Sequence, residues 1–392
     1  MEEQDRTLIQ EQTIDRLRFP LVIFVIMYHL LDRIVPDLAG FNLFDVSLEN
    51  FTGDDFYYIF RVFFDTVRGI CNPCFFLLSG YLFFLNVKVW NKDTYIAKLK
   101  KRVSTLLIPY LLWNVIATFT MPISLIAGRI FKQDGDWDRI AEYFLEIRDK
   151  GVWNIFWNFN TWAETNKNIL GTPAPSFGPM SVPMWFLQTL ICLSIITPLI
   201  YLLVRYLKIV GVILIGILAY TGIWFSVPGF GIAPIFYFTL GAYFGINKKN
   251  MVFELRRLQF VIVPFTIVSF IAKVYFDYSG TVDFNYAKNL FILGGTLSMV
   301  VLCSYIVETK HGKPNKALSN AVFFIYASHS PLLVVSGVCV IYEYITFHSK
   351  AWYVLTIGYI VVPVVTAYLC YAGYLILKRI MPPVAKLLAG YR

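Results

Sequence analysis

Residues 184–226, MWFLQTLICLSIITPLIYLLVRYLKIVGVILIGILAYTGIWFS, contain two formal charges, Arg205 and Lys208, set together in the middle. A transmembrane helix needs roughly 17–25 apolar residues to cross a hydrocarbon core about 30 Å thick. The stretch therefore reads as two spans, 184–204 and 209–226, joined by a short basic turn. Working outward, the same reading places spans at 19–36, 68–87, 104–127, 231–247, 258–276, 288–308, 319–342 and 352–377. The sequence predicts an all-α, polytopic integral membrane protein of about ten transmembrane helices, forming one domain over residues 1–392. Residues 57% hydrophobic and 18% aromatic, with a mean hydropathy of +0.61, exceed what a water-soluble domain carries.

Lysine and arginine counts orient the chain, because cytoplasmic loops are enriched in both. Arg6, Arg16 and Arg18 fall on one side with Lys98, Lys100, Lys101 and Arg102, then Arg205 and Lys208, and then Lys248, Lys249, Arg256 and Arg257. Lys310, Lys313, Lys316, Lys378 and Arg379 follow on that side, so both termini are expected in the cytosol. The formal charge of +9 is thus mostly topological, and no nucleic-acid partner is expected. Residues 1–18 are polar and no small-residue cleavage site follows the first apolar run, so the first span is expected to stay in the protein. Cys71 and Cys74 form a CxxC pair without a second pair or neighbouring histidine, and no metal site is expected.

The outer connection, about 128–183, carries Trp137, Trp153, Trp157 and Trp162. Its segment around Ile140, Phe144 and Ile147 has helical spacing, which suits an interfacial helix with belt aromatics or a lid whose flat faces meet sugar rings. No internal repeat is visible, so the inverted halves of many secondary transporters lack support.

Ionisable groups inside spans are costly and ask for a reason. Eleven positions at about 1.5 Å separate Arg18 from His29, which puts His29 roughly 16 Å deeper, near the midplane. His329 lies about ten residues from the cytosolic start of its own span, at a similar depth. A neutral imidazole offers one donor and one acceptor, so the pair could serve proton removal from a hydroxyl or simply bond neighbouring helices. His311 and His348 fall at loop ends and read as solvated. Arg61, Asp65 and Arg68 share a helical face as an ion-pair ladder or a cationic wall. Lys98, Lys100, Lys101 and Arg102 could anchor the positive-inside end or seat phosphate oxygens.

Several ordered stretches together resemble the membrane-bound acyltransferase-3 family, whose members O-acylate cell-surface and secreted carbohydrates. RFPLVIFVIMYH, from Arg18 to His29, resembles the family's arginine and histidine on the first helix. CFFLLSGYL (74–82), which holds Ser79, is similar to its FF-x-x-SG-x-L segment. KLKKRVSTLLIPYLLW (98–113) resembles its basic stretch before a Pro-Tyr helix, although Lys98, Lys101 and Arg102 replace the frequent paired arginines. PMWFLQTL (183–190), with Trp185, and FFIYASHSP (323–331), with Tyr326 and His329, match later segments. The resemblance implies an acyl-CoA donor, commonly acetyl, with His29 as the essential catalytic residue and Arg18 beside it. Lys98, Lys101, Arg102 and Arg68 would bind the donor. Trp185, His329, Tyr326 and Ser79 would face a carbohydrate or lipid-linked glycan acceptor. No resident cofactor is implied, and the location implied is a bacterial inner membrane. A transporter or flippase of a lipid-linked sugar or small anion is the alternative that the intramembrane charges also permit.

Overall fold

The computed structural model describes residues 3–31, 34–36, 46–47, 49–132, 138–157, 165–167, 173–175, 178–225, 227–278 and 285–391. Helix α1 (Glu3–Met27) packs most extensively against α3 (Cys71–Phe84), α12 (Asn285–Ile306), α13 (Lys316–Ser328) and α15 (Trp352–Ile380). Its buried positions Ile14, Leu17, Leu21, Val22, Val25 and Ile26 follow a helical stripe that faces those neighbours.

Six helical stretches among the described residues are long and apolar enough to cross a membrane: Gly53–Phe84, Lys92–Thr120, Val182–Thr221, Gln259–Asp277, Tyr286–Ile306 and Trp352–Ile380. Two shorter apolar helices are α9 (Ile232–Ile246) and α14 (Val334–Ile345). The chain also forms α2 (Gly53–Val67), α4 (Lys92–Arg102), α5 (Ile108–Lys132), α6 (Asp138–Lys150), α7 (Asn154–Trp157), α8 (Trp185–Thr221), α10 (Met251–Arg257), α11 (Gln259–Tyr278) and α16 (Pro382–Leu388). One small antiparallel ribbon interrupts the helical pattern, β1 (Thr165–Lys167) against β2 (Pro173–Pro175), with Asn166 opposite Ala174.

Most expected spans reappear, but several boundaries move for physical reasons. The first helix is not 19–36: it begins at Glu3 and ends at Met27, because polar residues can extend a helix beyond the apolar run. The second begins at Gly53 rather than 68, where Thr52 and Asp55 close a capping box that satisfies two otherwise orphaned amides. A 3₁₀ turn at Arg68–Ile70 links α2 to α3 without breaking the path. The third begins at Lys92, under an Asn91 cap, and passes through a π turn at Val103–Leu107. The two apolar halves of 184–226 are one helical tract broken at Lys208 alone (φ 50°, ψ −127°), so the predicted basic turn is a single residue. Span 319–342 is two helices, α13 and α14, separated by a turn in which Leu333 takes φ 57°.

Helix α3 lies against α9 across small residues, as membrane helices do where backbones approach closely. A Cβ on Gly80 would stand 1.9 Å from the Phe238 carbonyl oxygen, and one on Gly241 would stand 1.9 Å from that of Leu77. This seam fixes α3, and therefore Ser79, relative to the rest of the bundle. In the long connection, α6 does form and Ile147 packs with Ala117, Ile155 and Met180, whereas Phe144 and Trp153 are exposed. Trp137 and Trp162 lie outside the described residues.

Candidate functional site

A cavity of about 410 Å³ opens beside α1, and Arg18, Ser79, Arg102, Ser319, Asn320 and Tyr326 supply its polar lining. Its apolar wall comes from Phe75, Leu78 and Leu82 of α3, from Phe186, Leu187 and Leu190 of α8, and from Val322 and Phe323 of α13. Arg18, Ser79, Arg102 and Tyr326, far apart in sequence, thus meet at one space. Arg18 is held by Asp15, one turn earlier, at 3.0 Å, and the Ser319 hydroxyl approaches the same Asp15 oxygen at 3.3 Å. Arg102 lies 5.2 Å from the Phe83 ring centre, immediately before the π turn that widens the helix.

The other cations of that segment do different work. Lys98 Nζ donates to the Phe83 carbonyl at 2.8 Å and so fastens α4 to the end of α3, while Lys101 is exposed. Trp185 is half-buried against Phe76, with ring centres 6.1 Å apart, and its neighbour Phe186 is the residue that reaches the cavity wall.

Beyond Tyr326 the two histidines meet. The rings of His29 and His329 have centres 4.9 Å apart and planes tilted by 56°. His29 follows the end of α1, in a turn closed by Tyr28 N–H to the Val25 carbonyl and His29 N–H to that of Ile26. His329 closes α13: its amide bonds the Ile325 carbonyl, and its Nδ1 lies 2.7 Å from the carbonyl oxygen of Tyr326. A carbonyl only accepts, so Nδ1 carries the hydrogen. His329 is 0% exposed, and its Nε2 has no hydrogen-bond partner among the described residues. Tyr326 joins the two regions, with its ring in the cavity wall, its hydroxyl donating to the Pro183 carbonyl and its own carbonyl holding His329.

Arg68, read from the sequence as a donor-binding cation, does not line this cavity. Its Nη1 donates to the Met27 carbonyl at 2.8 Å, its Nη2 pairs with Asp65 at 3.1 Å, and its guanidinium lies 4.3 Å from the Tyr28 ring centre. Met27 O is one of the carbonyls that the end of α1 leaves without an intrahelical donor, so Arg68 satisfies a helix terminus. It braces the turn that presents His29 and stands apart from the cavity lined by Arg18 and Arg102. The ladder reading of Arg61, Asp65 and Arg68 is realised: Asp65 also accepts from Arg61 Nε at 3.3 Å and from the Tyr359 hydroxyl at 2.5 Å. Arg61 donates in addition to the Pro36 carbonyl. Tyr359 and Phe186 are the participants that sequence reasoning missed, since both look like ordinary span aromatics. His348 stays outside the site, bonded to Glu343, and His311 is exposed.

Residues 11–372 match the family model Acyl_transf_3, described as "Acyltransferase domain". The chain is also similar to the "Succinoglycan biosynthesis protein ExoH" of Rhizobium meliloti (strain 1021), at 23% identity over 368 residues, covering 91% of this chain and 85% of that protein. No solved structure matches. With a family match over nearly its whole length and helices built to cross a bilayer, the chain belongs to the acyltransferase-domain family as one of its membrane members.

Proposed function

We propose that the protein transfers an acyl group, acetyl in the simplest case, from cytosolic acyl-CoA to a hydroxyl of a cell-envelope or exported carbohydrate. The observation that carries this reading is the cavity lined by two guanidinium groups at one end and bounded at the other by Tyr326, behind which His29 and His329 meet. The role of the matched relative in succinoglycan biosynthesis supports a polysaccharide acceptor.

The chain crosses the membrane ten times in this reading. The break at Lys208 lets the 40-residue Val182–Thr221 tract cross twice, and α13 with α14 makes one passage, which returns both termini to the cytosol. The Arg18 end then faces acyl-CoA, with Arg18 and Arg102 in reach of anionic donor oxygens and Lys98 and Lys101 adding positive potential at the rim. Ser79 and Tyr326 shape the passage that the acyl chain enters, and Phe186 borders it with Trp185 packed behind on Phe76. The membrane concerned is a bacterial inner membrane.

In the chemical step His29 accepts the proton of the acceptor hydroxyl as its oxygen attacks the thioester carbonyl. The tetrahedral oxyanion is stabilised by cationic groups, the C–S bond breaks, and the CoA thiolate leaves with the proton. A variant in which His29 itself carries the acyl group between two half-reactions uses the same residues.

The test is transfer of radiolabelled acetyl from acetyl-CoA to glycans in vesicles that contain the protein. Incorporation should fall by about 10³-fold in His29→Ala at equal folded amount, within the 10²–10⁴ that general-base removal costs. Label retained on the protein before glycan is added identifies the acyl-histidine variant. Equal incorporation by both proteins removes His29 from catalysis. No incorporation by either, with no stabilisation by acyl-CoA, overturns the transferase reading in favour of transport.

A further inference from the structure

His329 is fully buried, so it reaches neither donor nor acceptor, yet it touches the half-buried ring of His29. Its tautomer is set by geometry: the Nδ1 contact of 2.7 Å to a carbonyl oxygen requires hydrogen on Nδ1 and leaves Nε2 as a bare acceptor. That acceptor has no partner among the described residues. A histidine retained only for packing would not leave a polar atom stranded in a dry interior, because burial without a hydrogen bond is costly. His329 keeps helical backbone angles at the end of α13, and the break to α14, with Leu333 in the left-handed region, follows four residues later.

We propose that His329 is a positioning residue for His29. A small rotation of the His29 ring brings one of its N–H groups onto His329 Nε2. The other nitrogen of His29 then carries the lone pair and faces the reacting hydroxyl. The logic parallels the third member of a nucleophile–base–orienter triad, with a neutral imidazole in place of a carboxylate. The proton balance closes on His29 alone. Its free nitrogen takes the hydroxyl proton and the resulting imidazolium keeps its other N–H on His329. When the C–S bond breaks, the CoA thiolate recovers that proton, and His329 keeps its own proton on the Tyr326 carbonyl throughout. This inference rests on the role assigned to His29 above.

The test compares His329→Gln, whose amide oxygen can reach the place of Nε2, with His329→Phe, which fills the volume without an acceptor. Transfer is measured at equal folded amount as kcat and as KM for acyl-CoA. The Phe variant should lose about 10–100-fold in kcat with KM within about two-fold of wild type, and the Gln variant should recover most of the loss. A Phe variant with wild-type kcat, or one altered only in KM, overturns the proposal while leaving the transferase reading intact.

Ring-¹⁵N spectra provide an arm that does not depend on activity or on the Phe variant folding, and the chain has only four histidines to assign. Wild-type protein should show His329 protonated at Nδ1 alone, with one N–H of His29 hydrogen-bonded, and the His29 signal should move in His329→Gln. Hydrogen on His329 Nε2, or a His29 signal indifferent to the substitution, overturns the pairing. If the wild type transfers no acyl group, the transferase reading fails, and the spectra still decide whether the histidines are coupled.

Discussion

Two regions beside α1 hold their arginines in opposite ways. Within the helix Arg18 meets a single carboxylate, Asp15, in a pair whose side chains are 31% and 30% exposed, and Arg102 lies over an aromatic ring, both beside an open cavity. At the helix terminus Arg68 is engaged by a carboxylate, the Met27 carbonyl and the face of Tyr28, with 18% of its side chain exposed. Charge kept partly open in a cavity is available to a ligand. Charge whose two terminal nitrogens are engaged by neighbours is architecture, and here it holds the turn on which His29 stands.

Removing the committed charge should do the most harm to the fold. Arg68→Leu leaves Asp65 without one of its two cations and uncaps Met27, and losing hydrogen bonds to a charged group costs about 2 kcal/mol. Thermal unfolding in detergent should show a marked fall in midpoint, with activity lost in step with folded protein. If Arg68→Leu instead stays as stable as wild type and raises KM for acyl-CoA, the contrast between the two regions collapses and Arg68 belongs with the donor site.

The open charge should behave in the reverse way. Arg18→Ala is expected to lower kcat/KM about 10–100-fold, the worth of a hydrogen bond to a charged group, with little change in unfolding temperature. Arg18→Lys should recover part of the loss, because the charge is kept and the planar fork is not. Loss of stability comparable with Arg68→Leu would assign Arg18 a structural role through Asp15 and Ser319.

The smallest effect belongs to exposed Lys101. Lys101→Ala should raise KM for acyl-CoA only about two- to three-fold, and the difference should vanish at high salt, as screening of a surface charge requires. A large effect that persists in salt would move the phosphate contacts of the donor from the cavity to the rim.

The helical organisation was readable because a bilayer forces backbone groups to bond within their own segment, so apolar run length alone specifies elements. Residue counting also placed His29 and His329 at one level, since the rise per residue of a helix is constant. It missed that His29 stands past the end of α1 and that 319–342 is two helices. Hydropathy does not distinguish a helix from the turn that follows it when both are apolar. The Arg61, Asp65 and Arg68 face was legible from local spacing, but its partners were not: Tyr359 lies 294 positions from Asp65.

From its sequence the protein takes its solvent and the set of apolar helices, because composition and local periodicity are properties of contiguous residues. Tertiary packing alone decided which charges are free and which are committed. The close approach of α3 and α9 at Gly80 and Gly241 sets where Ser79 stands, and the contact of the His29 and His329 rings joins two helices far apart in the chain. A hydrogen bond is fixed by distances of a few ångströms between atoms hundreds of residues apart, and no pattern confined to one segment encodes that meeting.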